Sequence, residues 1–186
     1  METKKPSLTA SIIKLGVILF AVTAIVALVL GFVDNLTSGR IALLQEEKTK
    51  AAMQAVLPAD NYTQVTYTGD NKAINSIYQA GTAGWVVEVT ETGSQGPVTM
   101  MVGVGTDLTS TGISITNSSE TAGLGAIASQ KSDKGEAFRS QFVGQSGTIT
   151  VKKDGGTIDA LSGATITSRA VCAGVTAALA ACADLG

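Results

Sequence analysis

The chain has 186 residues, a formal net charge of −2, 15% charged residues and no histidine. The length allows one domain of ordinary size plus an appendage. The charge balance offers no basic patch for nucleic acid, and without histidine there is no imidazole metal ligand or catalytic base. Aromatic residues are only 4% while there are 21 glycines, and with abundant Ala, Thr, Ser and Val this suits a β-rich domain with tight turns.

In chain order, Leu15 to Val33 is a run broken only by Thr23 and glycines. As a helix it spans roughly 28 Å, close to the hydrocarbon thickness of a bilayer. A signal peptide has a shorter apolar region and an Ala-x-Ala-like site. This run ends instead in Asp34-Asn35-Leu36-Thr37, so a retained single-pass anchor is expected. Lys4, Lys5 and Lys14 precede it and Asp34 follows. The positive-inside rule then puts the N-terminus in the cytoplasm and everything beyond residue 33 outside, with Arg40 tempering the asymmetry.

Ser38 to Leu57 holds good helix formers and stops at Pro58, which predicts a stalk helix within residues 34–58. Its apolar positions Ile41, Leu44, Ala52 and Ala55 fall loosely on one face. The rest, 59–186, is expected to be one domain. Val65 and Tyr67, Ile74 to Tyr78, Trp85 to Val89, Val98 to Val104, Ile113 to Thr116 and Thr148 to Lys152 read as short strands between glycine-containing turns. Lys134 to Val143 reads as a short helix with Ala137, Phe138, Gln141 and Phe142 on its inner side, and Thr167 to Ala183 as an alanine-rich helix in close packing. The expected fold class is α+β, an antiparallel sheet with helices to one side. Trp85 is expected in the core. Cys172 and Cys182 stand about 15 Å apart along one helix, too far to bridge, and read as small packed residues.

Two motifs carry chemistry. In Asp159-Ala160-Leu161-Ser162-Gly163-Ala164-Thr165, Gly163 relaxes the backbone and Ala164 keeps the approach to the Thr165 hydroxyl open. Ile166-Thr167-Ser168 then begins a helix whose free N–H groups suit a phosphate. The ordinary alternative is a Ser/Thr helix cap beside a glycine turn. In Ser119-Glu120-Thr121-Ala122-Gly123-Leu124-Gly125, the glycines let backbone amides approach a flat ligand, Leu124 can pack on its face, and Glu120 and Thr121 offer hydrogen-bonding groups. Here the alternative is a glycine-rich turn with an exposed acid.

The first motif resembles the acceptor site at which a membrane-bound flavin transferase attaches FMN to a threonine through a phosphodiester. The second resembles the Glu-Thr-Pro-Gly-Leu-Gly segment of the G-type subunit of Rnf complexes, and a related segment of the C-type subunit of the sodium-translocating NADH:quinone reductase. The likeness to this FMN-binding domain family runs in order through nearly the whole chain: the anchor, Val56-Leu57-Pro58, Gly96-Pro97, Phe138 to Phe142, and the acceptor motif. It implies Thr165 as the covalent FMN site and Asp159 as part of what the transferase recognises. It also implies Ser162, Gly163, Ala164, Thr167, Ser168, Glu120, Thr121, Gly123, Leu124 and Gly125 around the flavin. Two positions depart from the pattern: Ala122 replaces the common proline, and Asn117 stands where many members have histidine.

The function implied is an electron-transfer subunit, not catalytic alone, in a membrane complex that couples ferredoxin:NAD+ oxidoreduction to sodium or proton translocation. Its partners are then the other membrane subunits, with the flavin transferase needed for maturation and no nucleic acid. The chain has no Rossmann fingerprint and no cysteine cluster, so NAD and ferredoxin contacts belong to partners. Gly16, Ala21, Ala24 and Ala27 give the anchor a small-residue side for helix packing. The alternatives are the C-type role in the quinone reductase, an anchored extracytoplasmic flavin reductase and a pilin-like structural protein. The last lacks both an acid in the apolar run and a Gly-Phe or Ala-Phe processing site.

Overall fold

A computed structural model describes residues 8–185. The chain divides into two compact units, Met1–Glu47 and Lys48–Gly186. Both the expected anchor and most of the stalk fall in helix α1, Leu8–Val56. Lys4 and Lys5, on which the expected orientation leans, lie outside the described residues.

In the first unit the large apolar side chains among the described residues are exposed, Leu15 67% and Leu28 74%. The helix is long and apolar enough to cross a membrane, with a mean hydropathy of 2.8 in its most apolar window. Its hydroxyls turn back onto the helix, Thr23 Oγ1 to the carbonyls of Leu19 and Phe20 (both 3.0 Å) and Thr37 Oγ1 to Val33 (2.8 Å). Such back-bonding satisfies the hydroxyl within its own helix.

The second unit is built on a five-stranded antiparallel meander, in the order β1 (Tyr62–Val65), β2 (Ile74–Ala80), β3 (Gly84–Thr92), β4 (Pro97–Gly105), β5 (Ser110–Ser118). Tyr67 lies beyond β1 and packs against the core from the connection. β4 is buried along nearly its whole length, which requires cover on both sheet faces. On one face Val98, Met100, Val102 and Val104 join Val87 and Val89 under helix α3, Thr165–Ala183. On the other, Met101, Val86 and Ala80 meet Ala52, Met53 and Val56 from the last turns of α1 and Leu57 just after it. Helices therefore cover both faces, where the sequence predicts one. Of the expected stalk face Ala52 is buried, but Ile41 and Leu44 are exposed (57% and 53%) and Ala55 is exposed too.

Two glycines permit these close approaches. A Cβ on Gly103 stands 2.6 Å from the Val56 carbonyl oxygen and collides with Thr111 Oγ1, whose hydroxyl donates to that carbonyl (2.5 Å). A Cβ on Gly174 meets Met100 Cε at 2.9 Å. α3 needs its small residues for the same reason: Ala170, Val171, Val175, Ala178 and Ala181 are buried. Trp85 is part of this core packing.

Helix α2, Asp133–Ser140, is capped by Ser132, whose Oγ accepts from Gly135 N at 3.3 Å. Phe138 and Phe142 are buried edge to face with centroids 5.4 Å apart, while Ala137 faces solvent. Thr148 to Lys152 is not a strand of the sheet. It makes one isolated parallel bridge, Val151 with Ile158, and turns into a short 3-10 segment, Lys152–Asp154. Its backbone groups are satisfied elsewhere: Ile149 N donates to Thr176 Oγ1 of α3 (2.9 Å), and Lys152 N to Ile158 O within the same loop (2.8 Å).

Gly103→Val is expected to destabilise the domain by about 1–3 kcal/mol, read as a lower thermal midpoint of the full chain in detergent. Cys172 and Cys182 are buried, and burial pushes their thiols up to about 11 and about 12. Neither should react with a thiol reagent at pH 8 until the domain unfolds. As pH rises past the ordinary thiol range the unfolded state loses protons first, so stability should fall through the alkaline range.

Candidate functional site

Three stretches distant in sequence form one cleft of about 340 Å³: Ser94 and Gln95 from the β3–β4 turn, Glu120 to Gly125 after β5, and Gly163 to Thr167 at the start of α3. The sequence-predicted residues lining it are Glu120, Thr121, Leu124, Gly125, Gly163, Ala164, Thr165 and Thr167. Ser94, Gln95 and Ile166 line it without having been predicted. Among them, Leu124 and Ile166 are apolar and half exposed (44% and 55%).

The helix begins earlier than the small-residue run suggests. Thr165 is its first residue, and the preceding Ala164 provides no side-chain cap. The first helical bond is Ser168 N to Ala164 O at 3.0 Å. The N–H groups of Thr165, Ile166 and Thr167 have no acceptor among the described residues. Free donors at a helix start, with the positive end of its dipole, form an anion site. The Thr165 side chain is half buried at the edge of the cleft.

The turn that delivers Thr165 is held from behind. Ser168 is fully buried; its Oγ donates to Ala164 O (2.9 Å) and accepts from Leu161 N (3.0 Å). It therefore staples the loop to the helix and does not face the cleft. Gly163 has φ +73°, a left-handed conformation glycine adopts without strain, and a Cβ there meets Leu124 Cδ2 at 3.0 Å. Gly123, with φ +77°, is not among the residues lining the cleft and serves its turn. Ser162 is exposed outside the lining.

Asp159 also stands outside the cleft. Its carboxylate pairs with Lys152 Nζ at 2.7 Å on an exposed surface. The Gln141 side-chain amide holds its backbone on both sides, accepting from Asp159 N (2.7 Å) and donating to Asp159 O (3.3 Å).

Glu120 ties the walls together. Its Oε1 accepts from Ser94 N (2.7 Å) and Gln95 N (3.1 Å), and its Oε2 from Thr167 Oγ1 (2.6 Å). Burial raises the carboxyl, but the hydrogen bonds from Thr167, Gln95 and Ser94 outweigh it and hold the group below the ordinary glutamate value. Its stabilising contribution is complete above that ordinary value and is lost as pH falls through the lowered one.

A larger groove of about 460 Å³ runs along α3 beside Thr148 to Val151. It is lined mainly by apolar groups such as Ile149, Ala173 and Ala177, and no residue of either motif reaches it. The cleft at Thr165 has what a flavin mononucleotide requires: unpaired backbone donors for a phosphate, apolar side chains for a ring system, and a volume in the range of small-molecule sites. The residues fit the cofactor.

Comparison with known proteins agrees with that chemistry. Residues 93–180 match the FMN-binding domain model, a stretch that includes all the cleft residues. The chain is 34% identical to the G-type subunit of the ion-translocating oxidoreductase complex of Methanosarcina acetivorans, over 86% of this chain and 88% of that protein. It is 32% identical to the G-type subunit of the Na(+)-translocating ferredoxin:NAD(+) oxidoreductase complex of Acetobacterium woodii, over 94% of each. With the G-type subunit of the ion-translocating oxidoreductase complex of Pseudoalteromonas atlantica it shares 34% identity, over 80% of this chain and 82% of that one. The chain belongs to the family of FMN-binding, G-type subunits of ion-translocating oxidoreductase complexes.

A Cβ at Gly125 collides with Glu120 Oε2 and stands 2.6 Å from Thr167 Oγ1. Gly125→Ala should therefore part Glu120 from Thr167, lower stability by about 1–3 kcal/mol, and reduce the flavin content of the purified protein. Both are measured on one preparation, by thermal melt and flavin absorbance.

Proposed function

We propose that the chain is an electron-transfer subunit with FMN held as a phosphodiester on Thr165 Oγ1, within a membrane complex that couples ferredoxin:NAD+ oxidoreduction to sodium or proton movement. The observation that carries the reading is the position of Thr165. It is the first residue of an uncapped helix whose free N–H groups open into the cleft. An ester at that hydroxyl keeps one negative charge, and the start of α3 can receive it.

FMN supplies reversible one- and two-electron redox chemistry. The chain's own part is to hold it. Thr165 anchors, Gly163 and Ala164 leave the approach open, the N–H groups of residues 165–167 bind the phosphate, and Leu124 and Ile166 offer apolar cover. Covalent attachment suits a domain outside the cytoplasmic membrane, where a dissociated flavin is lost. Lys14 before the apolar run and Asp34 after it support an N-terminus in the cytoplasm, with residues 15–33 as the single span, 34–58 as the stalk and 59–186 outside.

Asp159 is exposed and fixed in its backbone six residues before the acceptor, which suits recognition by a flavin transferase. Donor, acceptor and ion path belong to the other subunits. The names of the relatives favour the G-type role in such a complex over the C-type role in a quinone reductase.

The test is the intact mass of the protein from its native membrane beside a Thr165→Ala variant. The native chain should be heavier by one FMN less water and the variant should lack that increment. Thr165 makes no side-chain hydrogen bond among those of the described residues, so the variant should keep the parent's thermal midpoint. An unmodified native chain from cells that make the transferase overturns the proposal.

A further inference from the structure

We infer that Glu120 is a positioning residue, a latch that pins the β3–β4 turn to the first turn of α3 and so fixes the two walls of the flavin cleft, leaving the helix N–H groups free for the phosphate. The latch itself rests on the geometry of the protein; its effect on flavin loading rests on the function proposed above.

The carboxylate joins segments 26 and 47 residues away in sequence. A carboxylate offers about four acceptor sites, and three are filled by protein donors: Ser94 N, Gln95 N and Thr167 Oγ1. Little capacity is left for a ligand. The space around it is also built for this use. A Cβ at Gly93 collides with Glu120 Oε1, and one at Gly125 collides with Glu120 Oε2. Two glycines on two different segments thus make room for one carboxylate.

The turn has few other ties. Ser94 and Gln95 are exposed, and their backbone N–H groups have no acceptor other than Glu120 among the described residues. Within the turn, Gly93 N donates to Gly96 O at 2.8 Å, which closes the hairpin but does not hold it over the cleft. Thr167 is 1% exposed, so the other end of the latch is set in the packed body of α3. An exposed turn is thereby tied to a packed helix through one side chain.

Glutamine at 120 keeps the shape and can restore the bonds, its Oε1 accepting the two amides and its Nε2 donating to Thr167 Oγ1. Alanine removes all three. Thr167→Val removes only the anchor on α3 and leaves both turn amides their acceptor.

The experiment uses the full-length chain in detergent, made with and without co-expressed flavin transferase. Hydrogen exchange at the Ser94 and Gln95 amides is read on the unmodified chain, and the fraction carrying FMN is read by intact mass on the modified one. Glu120→Ala should speed exchange at these amides roughly tenfold or more and lower the loaded fraction. Thr167→Val should speed it about two- to fivefold. Glu120→Gln should resemble the parent in both readouts. Parent-like exchange in Glu120→Ala, or full FMN loading of that variant, overturns the inference. So does a failure of Glu120→Gln to restore either property. If Glu120→Ala does not fold, parent-like exchange in Thr167→Val overturns it instead. A parent chain that takes no FMN sinks the flavin proposal, while the exchange measurement still decides the latch.

Discussion

The close seating of α3 on the sheet is the constraint on which the rest of the domain depends. An alanine-rich face with one glycine lets the helix approach β3 and β4, with Gly174 against Met100 and Val89. Because that contact runs along the buried body of the helix, the first turn is held in place from below. Its three unpaired N–H groups are then fixed donors at a known position, which is worth more to an anion than donors on a mobile loop. Burial of Thr167 and Ser168 in the same turn follows from the same packing. Ser168 uses its place to shape the acceptor loop, and Thr167 to hold Glu120.

The opposite face of the sheet solves a different problem. β4 can be apolar on both sides only because the last turns of α1 cover the second face, and Gly103 lets that backbone come close. The same helix carries the apolar run of the first unit, so its C-terminal turns are a structural part of the domain and not a spacer alone.

How much of this is legible in the sequence depends on whether the signal is carried by side chains close together in the chain. The 159–165 and 119–125 stretches are each contiguous, and six of their predicted members besides Thr165 do meet in the cleft, joined there by Thr167 just beyond. Ser94 and Gln95 are not legible because their contribution is a backbone N–H, which any residue but proline has. Gly93 is the available hint, yet its meaning lies in Glu120, 27 residues on. Thr148 to Lys152 alternates as a strand does, but its donors go to Thr176 of α3 and to its own loop. In the stalk, the pattern groups Ile41, Leu44, Ala52 and Ala55, of which Ala52 is buried, together with Met53, Val56 and Leu57 that the pattern does not single out. Ile41 and Leu44 lie in the first unit, apart from the packed core of the second.

Charge explains how Glu120 and the phosphate of the proposed FMN ester can share one helix start. Two anions side by side repel, and the cost is severe in a dry site. Here they draw on separate donors. The carboxylate is satisfied by two amides of the turn and one hydroxyl, which keep it charged despite its partial burial. The main-chain donors of residues 165–167 and the positive end of α3 are left free of it, as the proposed phosphate requires. Had Glu120 capped the helix through those N–H groups, as an acid near a helix start commonly does, it would compete with the cofactor for the same donors. Bonding the Thr167 hydroxyl instead lets it brace the site without occupying it.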